Sequence, residues 1–410
     1  MNREFNFDVV VVGAGASGMV LAILLAREGI NVALIEKQNR GGKKILASGN
    51  GKCNITNLNL KPKDYFAKNK NLIKSVIAHQ SFNNIKSFFE SIGLEFFIKD
   101  DGKAYPKSQR ASIVLELLEY ELNRLNVKTF FNVKKFSING RFNIEFEKVR
   151  IESKYLVVAT GSMAAPQLGG DSSGYEIAKW FGHTIIKPLP ALVALNSKSN
   201  ICKALSGVKI KAGVRLFIDG LEKGYIVNDL LFTKYGVSGL AIFDLSFFVA
   251  KELDNNRCVD ILIDFFPEFS KDRLLTYLKS RIDKKRALPI NLWLGAIIDS
   301  KVANYLVKEL NLSLINEAKL NNKLLKSIIY SLKNYKISID SLRDFRYAEV
   351  AIGGVNSNEI KLNLESKIVD RLYFVGEVLD VVGKRGGYNF SFAWCSAFKV
   401  AKDILSKEQI

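Results

Sequence analysis

The chain has 410 residues, 48% of them hydrophobic, and carries 60 Lys/Arg against 41 Asp/Glu for a formal net charge of +19. That is enough apolar sequence for a large core in two or three domains, and enough positive charge to attract polyanions, nucleic acid above all. Four scattered cysteines with no CxxC pair exclude a disulfide framework, a structural zinc site and a dithiol redox centre, and two histidines, His79 and His183, exclude a histidine-rich metal cluster.

The opening FDVVVVGAGASGMVLAILLAREGINVALIEK, residues 7–37, reads as strand, tight turn, helix and strand. Val9 to Ala26 is uncharged for eighteen residues, close to a membrane span, but Gly13, Gly15 and Gly18 interrupt it at motif spacing and Asp8 and Arg27 flank it. Val9–Val12 suits a strand buried on both faces. In Gly13-x-Gly15-x-x-Gly18 the first glycine permits the turn, the second lets backbone approach a pyrophosphate, and the third lets helix pack on strand. The helix, expected from about Ser17 to Glu28, points its N–H groups at the phosphates, with Ala16 and Ser17 in the turn. The second strand ends at Glu36, eighteen residues past Gly18, where a carboxylate takes ribose hydroxyls. The pattern predicts a dinucleotide site.

Next comes GGKKILASGNGKCNITN, residues 41–57, rich in Gly, Asn and Lys with almost nothing to bury. Residues 58–130 read as mainly helical, with Pro106 in a turn between two helices. KYLVVATGS, residues 154–162, is an apolar strand ending in Ala159-Thr160-Gly161. Residues 191–269 alternate or run apolar between glycine breaks and predict a small β domain. Residues 270–340 return to lysine-rich amphipathic helix. In the closing segment 341–410, LYFVGEVLD stops at Gly376-Glu377, and Gly386-Gly387 opens a helix from about Asn389 to Leu405. A strand-end Gly-acid and a helix N-terminus, so far from the first turn, suit FAD better than NAD. No second GxGxxG with a following acid is present. The expected fold is therefore α/β: a split, two-dinucleotide-type FAD-binding Rossmann domain, residues 1–190 and 341–410, interrupted by the β and helical insertions.

Charge clusters at 37–74, with ten Lys/Arg against Asp64, and at 271–336, with fourteen against five acids. An AT-rich genome produces the same lysine excess, so charge alone leaves RNA binding and compositional drift both open.

Residues 41–57 resemble the glycine-, lysine- and Cys-Asn-rich signature of the bacterial YhiN/BaiN-like (aminoacetone-oxidase-like) flavoprotein family, which includes ribosomal-RNA dihydrouridine synthases. The likeness continues through GKAYPKSQRASIVLELL, ATGSMAAPQLGGDSSGYEIAKWFGHTIIKPLPALVAL, NDLLFTKYGVSGLAIFDLS, AEVAIGGVNSNEI and LYFVGEVLDVVGKRGGYNFSFAW. It departs at Ser162, where a second glycine is usual, and at Cys395, where serine is common. The resemblance implies FAD, an NAD(P)H donor and a cytoplasmic reductase, with activity on uridine of ribosomal RNA, on enones or on amines. Under it, residues 41–57 wrap the flavin. Gly49 and Gly51 turn backbone toward it; Lys37, Lys43, Lys44 and Lys52 offset phosphate charge; Asn54, Thr56 and Asn57 donate to its polar edge. Thr160, Gly161, Gly376, Glu377, Gly386, Gly387, Tyr388 and Asn389 complete the cofactor set.

Reduction of a polarised C=C also needs a proton donor beside the substrate. Cys53 and Tyr388 are the candidates, set against plain packing roles for both. The expected function is an RNA-directed flavin reductase. The alternatives are a small-molecule flavin oxidoreductase and a flavin-bearing binding protein without turnover. No metal or membrane is expected.

Overall fold

The computed structural model describes residues 3–78 and 81–408; His79 lies outside them. The chain packs as two compact units, one running to Leu189 and resuming at Val350, the other from Pro190 to Glu349.

The first unit is built on the strand Arg3–Val12. It pairs in parallel with Val32–Ile35 on one side, Val9 opposite Val32, and with Val149–Val158 on the other, Val9 opposite Tyr155. Lys128–Phe130 extends the sheet beyond the second strand, and Leu372–Phe374 pairs in parallel with the end of the return strand, Val158 opposite Phe374. The start of that return strand also pairs antiparallel with Asn143–Phe146. Val9, Val10 and Val11 are wholly buried, as helix cover on both faces of a parallel sheet requires. The helix Ala16–Arg27 follows the glycine turn at once. The 20-residue helix Tyr388–Lys407 packs against it through a buried face that includes Phe392, Trp394, Val400 and Ile404.

Residues 58–130 are less purely helical than the pattern predicts. Helices Lys70–Val76, Ser81–Ser91 and Ala111–Arg124 are present. Between them Phe96–Ile98 and Thr56–Asn57 flank Lys103–Pro106 in a three-stranded sheet. Pro106 ends that strand opposite Phe96 rather than sitting in a turn, a place where a missing N–H costs least.

In the second unit the sheet runs Tyr335–Ile339, Val259–Asp264, Lys209–Ile218, Leu221–Thr233, Gly236–Ser238, Leu195–Asn196 and Ser341–Leu342, every neighbour antiparallel. Sheet residues Val214, Leu216 and Ile261 share one core with Leu274, Trp293, Leu306 and Leu332 from the helices. The expected β and helical insertions are therefore halves of one unit: the amphipathic helices supply the apolar cover that the sheet face lacks. The helix Leu240–Asp254 lies inside the stretch read as β. Its apolar LAIFDLSFFVA hides a 3.6 period, because nearly every position is hydrophobic.

Candidate functional site

The three motif glycines meet different surroundings. A Cβ at Gly13, where φ is +107°, would lie 2.5 Å from Ala159 O, and one at Gly18 would lie 2.0 Å from Gly13 O. Both are forbidden contacts with backbone, so these glycines serve the turn and the helix packing. A Cβ at Gly15 would meet nothing nearer than 3.9 Å, so no protein atom demands glycine there. A bare backbone beside the N-terminus of a 12-residue helix is what a pyrophosphate needs. Gly161, at the end of the return strand, is also open, with no atom within 4 Å of an added Cβ.

Glu36 is buried and ties the turn to the second strand: its carboxylate accepts from Ala14 N at 2.9 Å and Gln38 N at 2.8 Å. Its oxygens keep further lone pairs for hydroxyl donors. The lysines expected to face phosphate have protein partners. Lys37 pairs with Asp171, Lys43 donates to Gln38 Oε1 at 2.8 Å, Lys44 pairs with Glu377 at 3.1 Å, and Lys52 reaches Gln109 Oε1 at 3.3 Å. The Lys44–Glu377 pair joins the first loop to the segment just after the strand Leu372–Phe374. Ser162 Oγ donates to the same Glu377 oxygen at 3.4 Å, so the family departure at 162 still contacts the site. Gly376 N donates to Ser396 Oγ at 3.0 Å, and an added Cβ there would crowd Ser17 Oγ at 2.8 Å. Gly49 and Gly51 are exposed with positive φ.

Residues 53–57 are threaded against the start of the C-terminal helix. Trp394 Nε1 donates to Ile55 O at 2.9 Å, Thr56 Oγ1 pairs with Ser391 Oγ at 2.8 Å, and Asn57 Nδ2 donates to Gly386 O at 2.9 Å. Gly387, at φ +95°, leaves no room for a side chain: a Cβ would lie 2.7 Å from Thr56 O and 2.9 Å from Asn54 Oδ1. Tyr65 OH donates to Tyr388 O at 2.9 Å. The Asn389 amide is used internally, accepting from Gly383 N at 2.7 Å and donating to Gly383 O at 3.0 Å. The side chains of Thr56, Asn57 and Asn389 thus each have protein partners. Asn54 differs: its buried Oδ1 has no hydrogen-bond partner. It offers an acceptor, where a donor is expected from the sequence. A buried bare carbonyl costs about 1–3 kcal/mol, a local cost that the fold around Gly387 carries.

The two proton-donor candidates separate clearly. Cys53 is 0% exposed, covered by protein alone, and burial pushes its thiol up to about 12. It holds its proton and is covered by protein, which counts against its serving as the acid. It also sits at φ +55°, in the left-handed region. Tyr388 is half-buried at the first position of the C-terminal helix, its ring edge-on to Tyr65 at 5.8 Å. Burial, then the nearby Asp64 carboxylate, raises its phenol above the ordinary 10. Tyr175 escaped sequence reasoning. Its hydroxyl is buried, and its pKa is raised by burial and then by the Glu377 carboxylate. No spacing rule would have found it. Cys395 is buried in the core, its thiol also pushed up to about 12 by burial. His183 is buried away from this set, with Nε2 2.7 Å from Ser366 Oγ. Among the described residues no His/Cys/Asp/Glu group could hold a metal ion, and no helix is long and apolar enough to cross a membrane.

An open glycine turn with a terminal acid, a return strand, and a helix N-terminus beside an orphaned acceptor fit FAD and define the chain as a Rossmann flavoprotein of the oxidoreductase class. More narrowly, the chain belongs to the HI0933-like family, matching the HI0933-like protein Rossmann domain over residues 7–403. It is 33% identical to a 3-dehydro-bile acid delta(4,6)-reductase from Clostridium scindens, over 97% of this chain and 98% of that one. It is 29% identical to a ribosomal RNA dihydrouridine synthase from Haemophilus influenzae, over 96% and 98%. The fold resembles a 3-ketosteroid delta1-dehydrogenase from Sterolibacterium denitrificans, with TM-score 0.53 and 11% identity, over 98% of this chain and all of that one.

Proposed function

We propose that this protein reduces a C=C bond conjugated to a carbonyl, that its substrate is uridine in ribosomal RNA, and that NAD(P)H supplies the electrons. The observation that supports the flavin half is the open backbone at Gly15, where an added Cβ would meet nothing nearer than 3.9 Å, at the N-terminus of the helix Ala16–Arg27. When bound, FAD supplies the hydride. The turn at Gly13–Gly18 and Glu36 would hold its adenosine and pyrophosphate end, and Gly376, Glu377, Gly387 and Asn54 its other end. The positive end of the helix at Tyr388 favours negative charge on whatever lies before it. Hydride addition to one carbon leaves enolate character on the other, which must take a proton. We assign that proton to the Tyr388 hydroxyl: a phenol raised above 10 stays protonated at neutral pH, yet it is a far stronger acid than the carbon it protonates.

Uracil C5=C6 and the 4-ene of a 3-oxosteroid are both conjugated to a carbonyl, so the full-length relatives are named for one type of chemistry. A polyanion gains more from the net charge of +19 than a singly charged bile acid does, which is compatible with the RNA substrate without deciding for it. The relative with 33% identity supports a second reading, reduction of a small apolar enone. The test counts dihydrouridine by mass spectrometry in ribosomal RNA from cells with and without the gene, with purified protein added back. Loss on deletion and recovery on add-back support the RNA substrate. Unchanged dihydrouridine refutes it and leaves the enone.

A further inference from the structure

The second unit carries a three-layer stack. Arg343 lies between two tyrosine rings, with its Cζ 4.2 Å from the Tyr235 centroid and 3.9 Å from that of Tyr347. Every other cation–ring distance among the described residues exceeds 5 Å. The backbone under the stack is pinned. Arg343 N donates to Ala194 O at 3.0 Å, Ser197 N donates to Tyr235 O at 2.8 Å, and Tyr347 N donates to Asp344 O at 3.0 Å. The acids alongside are engaged elsewhere: Asp344 accepts from Arg346 N and Asp340 from Lys198 N. Arg343 Nε is buried with no hydrogen-bond partner, and no ion pair to the guanidinium is found among the described residues. Two rings flank the cation, and its buried Nε–H lacks an acceptor. The tyrosines keep exposed surface of their own, 39% for Tyr235 and 49% for Tyr347.

We propose that Tyr235, Arg343 and Tyr347 form a binding site for single-stranded RNA. The terminal nitrogens of Arg343 take one phosphodiester, and bases flanking it stack on the exposed tyrosine faces. A planar guanidinium fork matches two phosphate oxygens, and the rings hold it in one orientation before the ligand arrives. Exposed aromatics beside a basic fork suit unstacked bases in a loop or single strand. A carboxylate peptide would satisfy the fork but gives the flat rings no task. The inference rests on the RNA-reductase reading and adds where the inserted unit grips the substrate.

The experiment uses the FAD-loaded protein and a fluorescein-labelled, uridine-rich single-stranded RNA oligonucleotide, followed by anisotropy across a salt series. Dihydrouridine formation on ribosomal RNA is measured in parallel. Arg343→Lys, which keeps the charge but loses the fork, and Tyr347→Leu are expected to weaken binding about tenfold or more. Arg343→Gln is expected to reduce the salt slope by about one contact. Tyr347→Phe, which keeps the ring, is expected to bind as the parent does, and an unchanged flavin spectrum certifies the fold of each variant. Parent-like binding by Arg343→Lys and Tyr347→Leu overturns the site, while continued dihydrouridine formation leaves the reductase reading standing. A parent that neither binds nor reduces RNA ends both. Competition at the Arg343-dependent site by a poly-glutamate peptide or by NADPH, with RNA unable to displace either, overturns RNA as the occupant.

Discussion

Alanine at Gly15 and alanine at Gly18 should fail in opposite ways. At Gly18 the new methyl would lie 2.0 Å from Gly13 O and 3.3 Å from the Ala159 side chain, with backbone as the immovable neighbour. The helix must lift off the strand or the turn must deform, at about 3 kcal/mol or more. For a unit of this size that lowers the melting temperature by roughly 6–12 °C, with or without cofactor. At Gly15 the backbone is extended, φ −84° and ψ −166°, which alanine adopts freely, and the nearest protein atom is 3.9 Å away. The N-cap loses a few tenths of a kcal/mol, and reduced unfolded-chain entropy returns a similar amount, so apoprotein stability should stay within about 1 kcal/mol of the parent. The methyl instead occupies the approach reserved for the pyrophosphate. An overpacking cost of about 1–3 kcal/mol on the bound state weakens FAD by roughly 5- to 150-fold. Calorimetry of the two apoproteins and titration with FAD by fluorescence quenching separate the effects. Wild-type FAD affinity in Gly15→Ala, or wild-type apoprotein stability in Gly18→Ala, would refute the division of labour argued for the turn.

Tyr388→Phe should keep FAD and lower turnover by about 10²–10⁴-fold, as loss of a general acid does. Because the acid works protonated and its pKa lies above 10, parent turnover should be flat through neutral pH and decline only as pH rises past that raised value; a decline beginning near pH 7 would contradict the assignment. Cys53→Ala should retain turnover within about twofold and lose about 1 kcal/mol of stability, since the thiol only fills space; loss of turnover with FAD still bound would restore it as the acid. Asn54→Leu should leave the apoprotein at least as stable, by removing a bare buried carbonyl, and weaken FAD measurably; unchanged affinity would show that the carbonyl faces no ligand. In the second unit, Glu317 is fully buried and takes both the Nε and Nη2 donors of Arg286 at 2.9 Å, which hold its carboxyl down at about 2. A depressed folded pKa contributes stability above the ordinary value near 4.5 and loses it as pH falls toward 2. Acid unfolding of Glu317→Gln should accordingly be shallower than the parent's across that window, as followed by circular dichroism, and an identical slope would refute the pair's role.

The parts of the fold that were legible in the sequence are those where one local signal suffices. Four consecutive valines, three glycines and a terminal acid specify strand, turn, helix and strand without help from the rest of the chain. What was not legible depends on distant partners. Leu240–Asp254 carries too many apolar residues for any period to show, and only the sheet it covers makes it a helix. The two insertions read as separate because their periodicities differ, 2 against 3.6. A shared core follows from the need of each apolar face for the other, which composition does not reveal. At the site, Asn54 and Cys53 are neighbours in one motif and both are buried, yet one leaves a bare acceptor beside Gly387 and the other packs in the core. Adjacent residues of an irregular loop can face opposite ways, so the sequence marks the loop and the packing decides which residue is available. Tyr175 makes the converse point: its buried hydroxyl draws notice only because Glu377, about two hundred residues later, acts on it.

Charge shows why a count of cations cannot settle a substrate. Of the basic residues in 271–336, Lys333 is buried, its Nζ 2.7 Å from both Asp264 Oδ2 and Phe266 O, and Arg286 is spent on Glu317. Around the flavin loop, Lys37, Lys44 and Lys103 are paired with Asp171, Glu377 and Asp101. A cation already satisfied by a protein carboxylate gives little to a phosphate, because the gain is offset by the pair it breaks. The informative cation is the one the fold leaves unpaired. Arg343 is such a residue, stacked in place with its edge unmet. An RNA reductase needs the chemistry of a conjugated carbonyl and a hold on the strand that carries it. The first unit presents residues suited to the chemistry, and the second presents, at Arg343, a fork suited to the hold.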